Sequence, residues 1–105
     1  MPVKNIFENI PSSLKDEFFE DIISSPDFKL ERIISEGHSS PEGFWYDQDK
    51  NEFVLLLSGS AEISFEDEPL IKLRPGDYIT IPAHKKHRVE KTDKEEKTFW
   101  LALHF

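Results

Sequence analysis

Two stretches decide the reading of this chain: Glu52-Phe53-Val54-Leu55-Leu56-Leu57-Ser58-Gly59 and Gly76-Asp77-Tyr78-Ile79-Thr80-Ile81-Pro82-Ala83-His84-Lys85-Lys86-His87. In the first, Val54 and Leu56 share one face and Phe53, Leu55 and Leu57 the other. Both faces are apolar, which predicts a strand buried on both sides. Gly59 breaks the run. In the second, a short strand over 78–81 is bounded by Arg74-Pro75-Gly76-Asp77 before it and Pro82 after it. Between the two stretches, Ala61, Ile63 and Phe65 alternate with Glu62, Ser64 and Glu66, a half-buried strand pattern. The acidic turn Glu66-Asp67-Glu68-Pro69 and a short strand over 70–73 complete the segment.

Working outward, residues 28–35 predict a strand, 36–43 a Gly/Ser/Pro loop, 44–46 a short aromatic strand and 47–51 a polar turn. On the C-terminal side, strands over 87–92 and 98–105 flank a charged turn over 93–97. This makes about eight short strands with turn signals between them, the pattern of an all-β sandwich or barrel. The N-terminal segment reads differently. Val3, Ile6, Phe7 and Ile10 belong to an arm. Leu14, Phe18 and Ile22 then fall at i, i+4, i+8, which predicts a helix over 12–23, capped by Ser12 or Ser13 and stopped by Ser24-Ser25-Pro26. The expected organisation is an arm and helix over 1–27 and a β-barrel over 28–105, within one structural domain.

The chain has 105 residues, 37% of them hydrophobic, with nine Phe and two Trp. That supports one packed core. The formal net charge is −8, which argues against binding a nucleic-acid backbone. The local exception is the basic cluster Lys85, Lys86, Arg88 and Lys91, read either as a solvated edge or as a rim that attracts an anionic small molecule. Cysteine is absent, so disulfides and thiol nucleophiles are excluded. No apolar run approaches the roughly 20 residues that span a bilayer, and the N-terminus lacks the pattern of a signal peptide. A cytoplasmic location is the expectation.

The histidines are His38, His84, His87 and His104. A transition-metal site must draw on these with Asp and Glu. Glu52 shares a face with Val54 and Leu56; such a carboxylate must be solvated, paired or bound to a metal. His87 shares a face with Val89, so its ring points towards the core, either as a hydrogen-bonded core residue or as a ligand. His104 alternates with Trp100 and Ala102, which predicts burial near the C-terminus. His38 and His84 fall in loops.

These residues resemble the cupin family. Its first motif ends in a glutamate, six residues and a glycine, as in Glu52 to Gly59. Its second is a glycine, five residues, a proline, one residue, a glycine, two residues and a histidine, which Gly76, Pro82 and His87 match. The resemblance covers residues 28–105 and implies a single antiparallel jelly-roll barrel. It also implies Glu52 and His87 as metal ligands. Two histidines usually open the first motif; here Trp45 and Asp47, or Tyr46 and Gln48, stand in those places. His84 stands where the second motif has a glycine. Asp47 could then supply an oxygen ligand, with His38 or His84 completing the set.

Two functions follow from the resemblance. One is a cupin that binds a divalent metal (Fe, Mn, Ni or Zn) inside the barrel and binds or acts on a small molecule, anionic ones included, by oxygenase or isomerase chemistry, with Tyr46 and His84 as candidate catalytic groups. The other is a metal-free binding or sensory module in which Phe44, Trp45 and Tyr46 line the pocket. No nucleic-acid or membrane partner is expected. A homodimer is, through Phe53, Leu55 and Leu57, although the same residues could instead meet the 12–23 helix within one chain.

Overall fold

The computed structural model describes residues 1–105. Eight strands follow in chain order: β1 (Phe18–Ser24), β2 (Lys29–Ser35), β3 (Glu52–Ser58), β4 (Ala61–Phe65), β5 (Ile71–Leu73), β6 (Tyr78–Ile81), β7 (His87–Thr92) and β8 (Thr98–His104). They form a five-stranded sheet in the order β1-β2-β8-β3-β6 and a three-stranded sheet in the order β5-β4-β7. All pairings between these strands are antiparallel. The alternation read from the sequence is the burial pattern observed. Val54 and Leu56 of β3, Trp100 and Ala102 of β8, Ile33 of β2 and Ile81 of β6 are buried against Ala61, Ile63, Phe65 and Leu73 of the smaller sheet. The core therefore lies between two sheets packed face to face, which is how side chains on the inward faces escape water.

The helix expected over 12–23 is not formed. Residues 18–24 of that segment are β1, an edge strand paired with β2 in register Phe18↔Ile34 to Ser24↔Lys29. The physical reason is tertiary. An isolated helix of about a dozen residues is marginal in water, whereas the free edge of β2 offers a row of unpaired backbone groups. Phe18, Phe19, Ile22 and Ile23 also suit a strand. One residue is bulged between Asp21 and Ile23, and a bulge with edge charges hinders pairing to another chain. The strand expected over 44–46 reduces to a single bridge, Tyr46 to His87.

Residues before β1 form an extended arm over the outside of the large sheet. Arg32 points outward from β2 and is 3% exposed. Its guanidinium donates to the carbonyls of Ile6 (3.1 Å), Glu8 (2.6 Å) and Asn9 (3.1 Å). Phe7 meets Phe99 edge to face at 5.2 Å. With no helix to cover them, Phe53, Leu55 and Leu57 stay half-buried on the outer face.

Candidate functional site

Strand register brings the site together. β8 lies between β2 and β3, with His104 directly opposite Glu52 and Glu31 opposite Ala102, two residues from His104. All three side chains point to the interior, so they converge at one end of the barrel. Glu31 Oε1 accepts from His104 Nε2 at 2.7 Å. Glu52 Oε2 lies 3.7 Å from the same nitrogen. One donor atom each from Glu31, Glu52 and His104 lies within 4.8 Å of the others, spacing that a metal ion could bridge. Across the barrel, His87 of β7 brings its Nε2 to 3.4 Å from Glu52 Oε1. Glu31, Glu52 and His87 are 5%, 7% and 5% exposed, far more enclosed than charged groups usually are.

The ring of His87 is oriented. Its Nδ1 donates to the Lys85 carbonyl at 2.9 Å. In the neutral ring that hydrogen bond places the proton on Nδ1, and Nε2 faces a carboxylate oxygen. The ring also stacks on Tyr46 at 5.4 Å and 22°.

These groups line a cavity of about 60 Å³ together with Glu17, Phe19, Tyr46, Gln48 and Trp100. It has room for on the order of a few waters or a very small ligand. Glu17 accepts a hydrogen bond from Ser35 Oγ, which in turn accepts from Trp100 Nε1 at 3.1 Å. Burial pushes the Glu17 carboxyl above its usual range, against the opposing effect of the Ser35 hydrogen bond. Burial likewise raises the Tyr46 hydroxyl, helped by the charges of Glu17, Glu52 and Glu31; Tyr46 stays a phenol that can donate. The hydrogen bond to Glu31 raises His104 despite partial desolvation. For Glu31, burial alone would raise the carboxyl, but His104 and Lys29 outweigh it and hold it low.

Of the residues singled out in the sequence, Glu52, His87 and Tyr46 line the cavity, and Asp47, His84 and His38 do not. His84 Nδ1 and Asp47 Oδ1 pair at 2.8 Å on the surface, with 64% and 44% of their side chains exposed. His38 is engaged on both ring nitrogens, with the Glu36 N–H at 2.9 Å and the Lys15 carbonyl at 3.0 Å, and it ties the 36–38 loop to the arm. Phe44 and Trp45 are exposed. His84 takes the left-handed backbone, φ 64°, which explains why a glycine suits that motif position.

Sequence reasoning passed over Glu31, His104 and Glu17 as site residues. The signal that singled out Glu52 was present for Glu31 as well: it shares a strand face with Ile33. His104 was placed on an inward face, but its neighbours come from strand order, which alternation does not carry. Glu17 was hidden by the helical reading.

The basic cluster does not line the cavity. Arg88 donates to the carbonyls of Ser40 (3.1 Å), Pro41 (3.0 Å) and Phe44 (3.2 Å) and so fixes the loop that carries Tyr46. Lys85 pairs with Glu68.

The Cupin domain family model matches residues 32–104. No protein with a curated description matches the chain. A crystal structure of a candidate mannose-6-phosphate isomerase from Ralstonia eutropha is 44% identical, with a TM-score of 0.94 over 99% of this chain and 97% of that one. A cupin superfamily protein from Desulfitobacterium hafniense is 23% identical, with a TM-score of 0.75 over 91% and 83% of the two chains. An RmlC-like cupin with a double-stranded β-helix fold from Methanocaldococcus jannaschii has a TM-score of 0.70 at 12% identity, covering 90% and 84%. The last two share the fold. The family match over residues 32–104, a range that includes Glu52, Gly59, Gly76, Pro82 and His87, makes this chain a member of the cupin family.

Proposed function

We propose that the protein binds a divalent metal ion inside the barrel, held by Glu31, Glu52 and His104 with His87 beside them, and presents it to a small molecule. The observation that carries this reading is the facing pair His87 and Glu52. With Nδ1 of His87 committed to the Lys85 carbonyl, a lone pair and a carboxylate oxygen oppose each other at 3.4 Å. Two buried acceptors in that position require a cation or a proton between them. The donor set fits: carboxylate oxygens and imidazole nitrogens suit Mn(II), Fe(II), Ni(II) or Zn(II).

When bound, such an ion supplies Lewis-acid chemistry and open positions for a ligand. The chain's own residues do the rest. The Lys85 carbonyl orients His87. Tyr46 stacks on that ring and offers a hydroxyl donor. Ile33, Val54, Ile63, Ile81 and Val89 limit the access of water.

The Ralstonia relative's designation implies a sugar phosphate. No Lys or Arg lines the cavity here, so the protein supplies no cationic side chain for a phosphate, and that activity is not carried over.

Elemental analysis tests the metal reading. Wild-type protein incubated with each ion and then dialysed should retain about one ion per chain, and its melting temperature should fall on chelation. Glu52→Gln should retain far less. Equal, near-zero metal in both would sink the proposal.

A metal-free binding module remains the second reading. It is favoured by the internal charge compensation of Glu31, which has His104 at 2.7 Å and Lys29 at 3.6 Å.

Homodimerisation through the outer face of the large sheet is a further part of the proposed function. Register aligns Leu30, Leu103 and Phe53 in one row and Leu101, Leu55 and Tyr78 in the next. All are at best half-buried, and Tyr78 is 66% exposed. A contiguous apolar patch of this kind marks an interaction surface. Light scattering at micromolar concentration should give twice the 12.3 kDa chain mass, and Leu55→Lys should give the monomer. A monomeric wild type would refute it.

A further inference from the structure

The cavity contains three carboxylates and no lysine or arginine. Glu31 has His104 and Lys29, and Glu52 faces both histidines. Glu17 has no cationic partner within ion-pair distance and stands outside the three-residue group that could hold a metal. It is nevertheless held in place. Ser35 is fully buried, donates to Glu17 and accepts from Trp100, so both capacities of its hydroxyl are engaged. These hydrogen bonds fix one Glu17 oxygen, and Glu17 shares the cavity wall with Phe19, Tyr46 and Trp100. Glu52 is a second sign that the cavity awaits positive charge: it is 7% exposed, and its carboxylate meets the two histidines only at 3.4 and 3.7 Å. A carboxylate among aromatic faces stabilises an ammonium group twice, through a charge-assisted hydrogen bond and through the ring quadrupoles. The chain's net charge of −8 attracts cations and repels anions.

We infer that Glu17 is the recognition residue for a small organic ammonium ion that enters this cavity. The inference rests on the proposed function only in treating the cavity as the binding site. A metal would occupy Glu31, Glu52 and His104 and leave Glu17 for the ammonium group.

The test uses the full chain in amine-free buffer, metal-stripped and metal-loaded in parallel, with ethylammonium, ethanol and inorganic phosphate as ligands. Ethylammonium should raise the melting temperature of the wild type, with a shift that grows as the logarithm of its concentration above Kd, and ethanol and phosphate should not raise that of the stripped protein. Glu17→Gln keeps an oxygen that accepts from Ser35 but loses the charge. Its metal content should match the wild type and its own melting temperature should equal or exceed that of the wild type at neutral pH, because a charge that burial disfavours is gone, while its affinity for ethylammonium falls roughly tenfold or more. Phe19→Ala removes a ring that is 50% exposed and is the second variant; it should also weaken ethylammonium binding. The inference is overturned if the wild type does not respond to ethylammonium, if ethanol or phosphate stabilises the stripped protein as well, or if Glu17→Gln responds like the wild type. Metal content in the same samples judges the metal reading separately: the wild type can fail to hold metal and still bind ethylammonium, or the reverse.

Discussion

Gly59 and Gly76 both occupy the left-handed region, at φ 84° and 94°, yet only one is hemmed in. A Cβ on Gly59 would come within 2.7 Å of the Thr98 Cα, whereas a Cβ on Gly76 would meet nothing within 4 Å. The two motif glycines therefore separate two effects. Gly76→Ala carries the conformational cost alone, about 1–2 kcal/mol. Gly59→Ala adds a collision with the backbone of β8 next to the strand that carries Glu52, for a total of about 2–5 kcal/mol. Urea denaturation of the two variants checks this. Equal midpoints would show that β8 moves aside freely.

At the scale of elements, the hydrogen bonds that hold residues 6–9 of the arm to β2 come from one side chain. Arg32 is buried on the outer face of β2, accompanied by Glu20 at 2.9 Å, which is itself 45% exposed. A half-exposed ion pair contributes little; the three carbonyl acceptors of the arm are the larger part. Arg32→Ala should free residues 1–9 without unfolding the barrel, because the core between the sheets does not include them. Trypsin should then cleave after Lys4 faster than in the wild type, with the global unfolding transition shifted by no more than about 1–3 kcal/mol. Unchanged cleavage would mean that Phe7 on Phe99 holds the arm without help. Arg88 plays the corresponding part on the loop over 40–44. Arg88, which belongs to the basic cluster that reads from the sequence as a solvated edge or an anion-attracting rim, is a fastening, as Arg32 is.

For the whole molecule, the buried site makes stability depend on pH. The hydrogen bond to Glu31 raises His104, so the folded state holds that proton more tightly than the unfolded chain. This contribution is complete below the ordinary histidine value of 6.5 and is lost as pH rises through the raised value. Glu31 is lowered, because His104 and Lys29 outweigh its burial; its contribution is present above 4.5 and lost as pH falls through the lowered value. Glu17 is raised by burial, which costs stability as pH climbs above 4.5. Metal-stripped protein should therefore show a urea midpoint that declines from about pH 6 to pH 9, and His104→Gln should flatten the decline. A wild-type profile that is flat over this range would contradict the pairing.

The sequence by itself determined the barrel. Apolar alternation in β4 and the two apolar faces of β3 assign side chains to one face or the other whatever the strand order, because the pleat has a period of two. The glycines and prolines mark where strands must end. The same local rule drew attention to Glu52 and His87. What it could not decide is which strands become neighbours. Glu31 and His104 meet Glu52 only because β8 lies between β2 and β3, a fact of pairing across up to 73 residues of chain. Helical spacing in residues 14–22 was a true local pattern, overridden by the open edge of β2. Asp47 and His84 sit close in the fold, but the two turns that carry them point them at water and at each other. Local pattern thus fixed which residues face inward, and long-range pairing fixed which inward residues share a cavity.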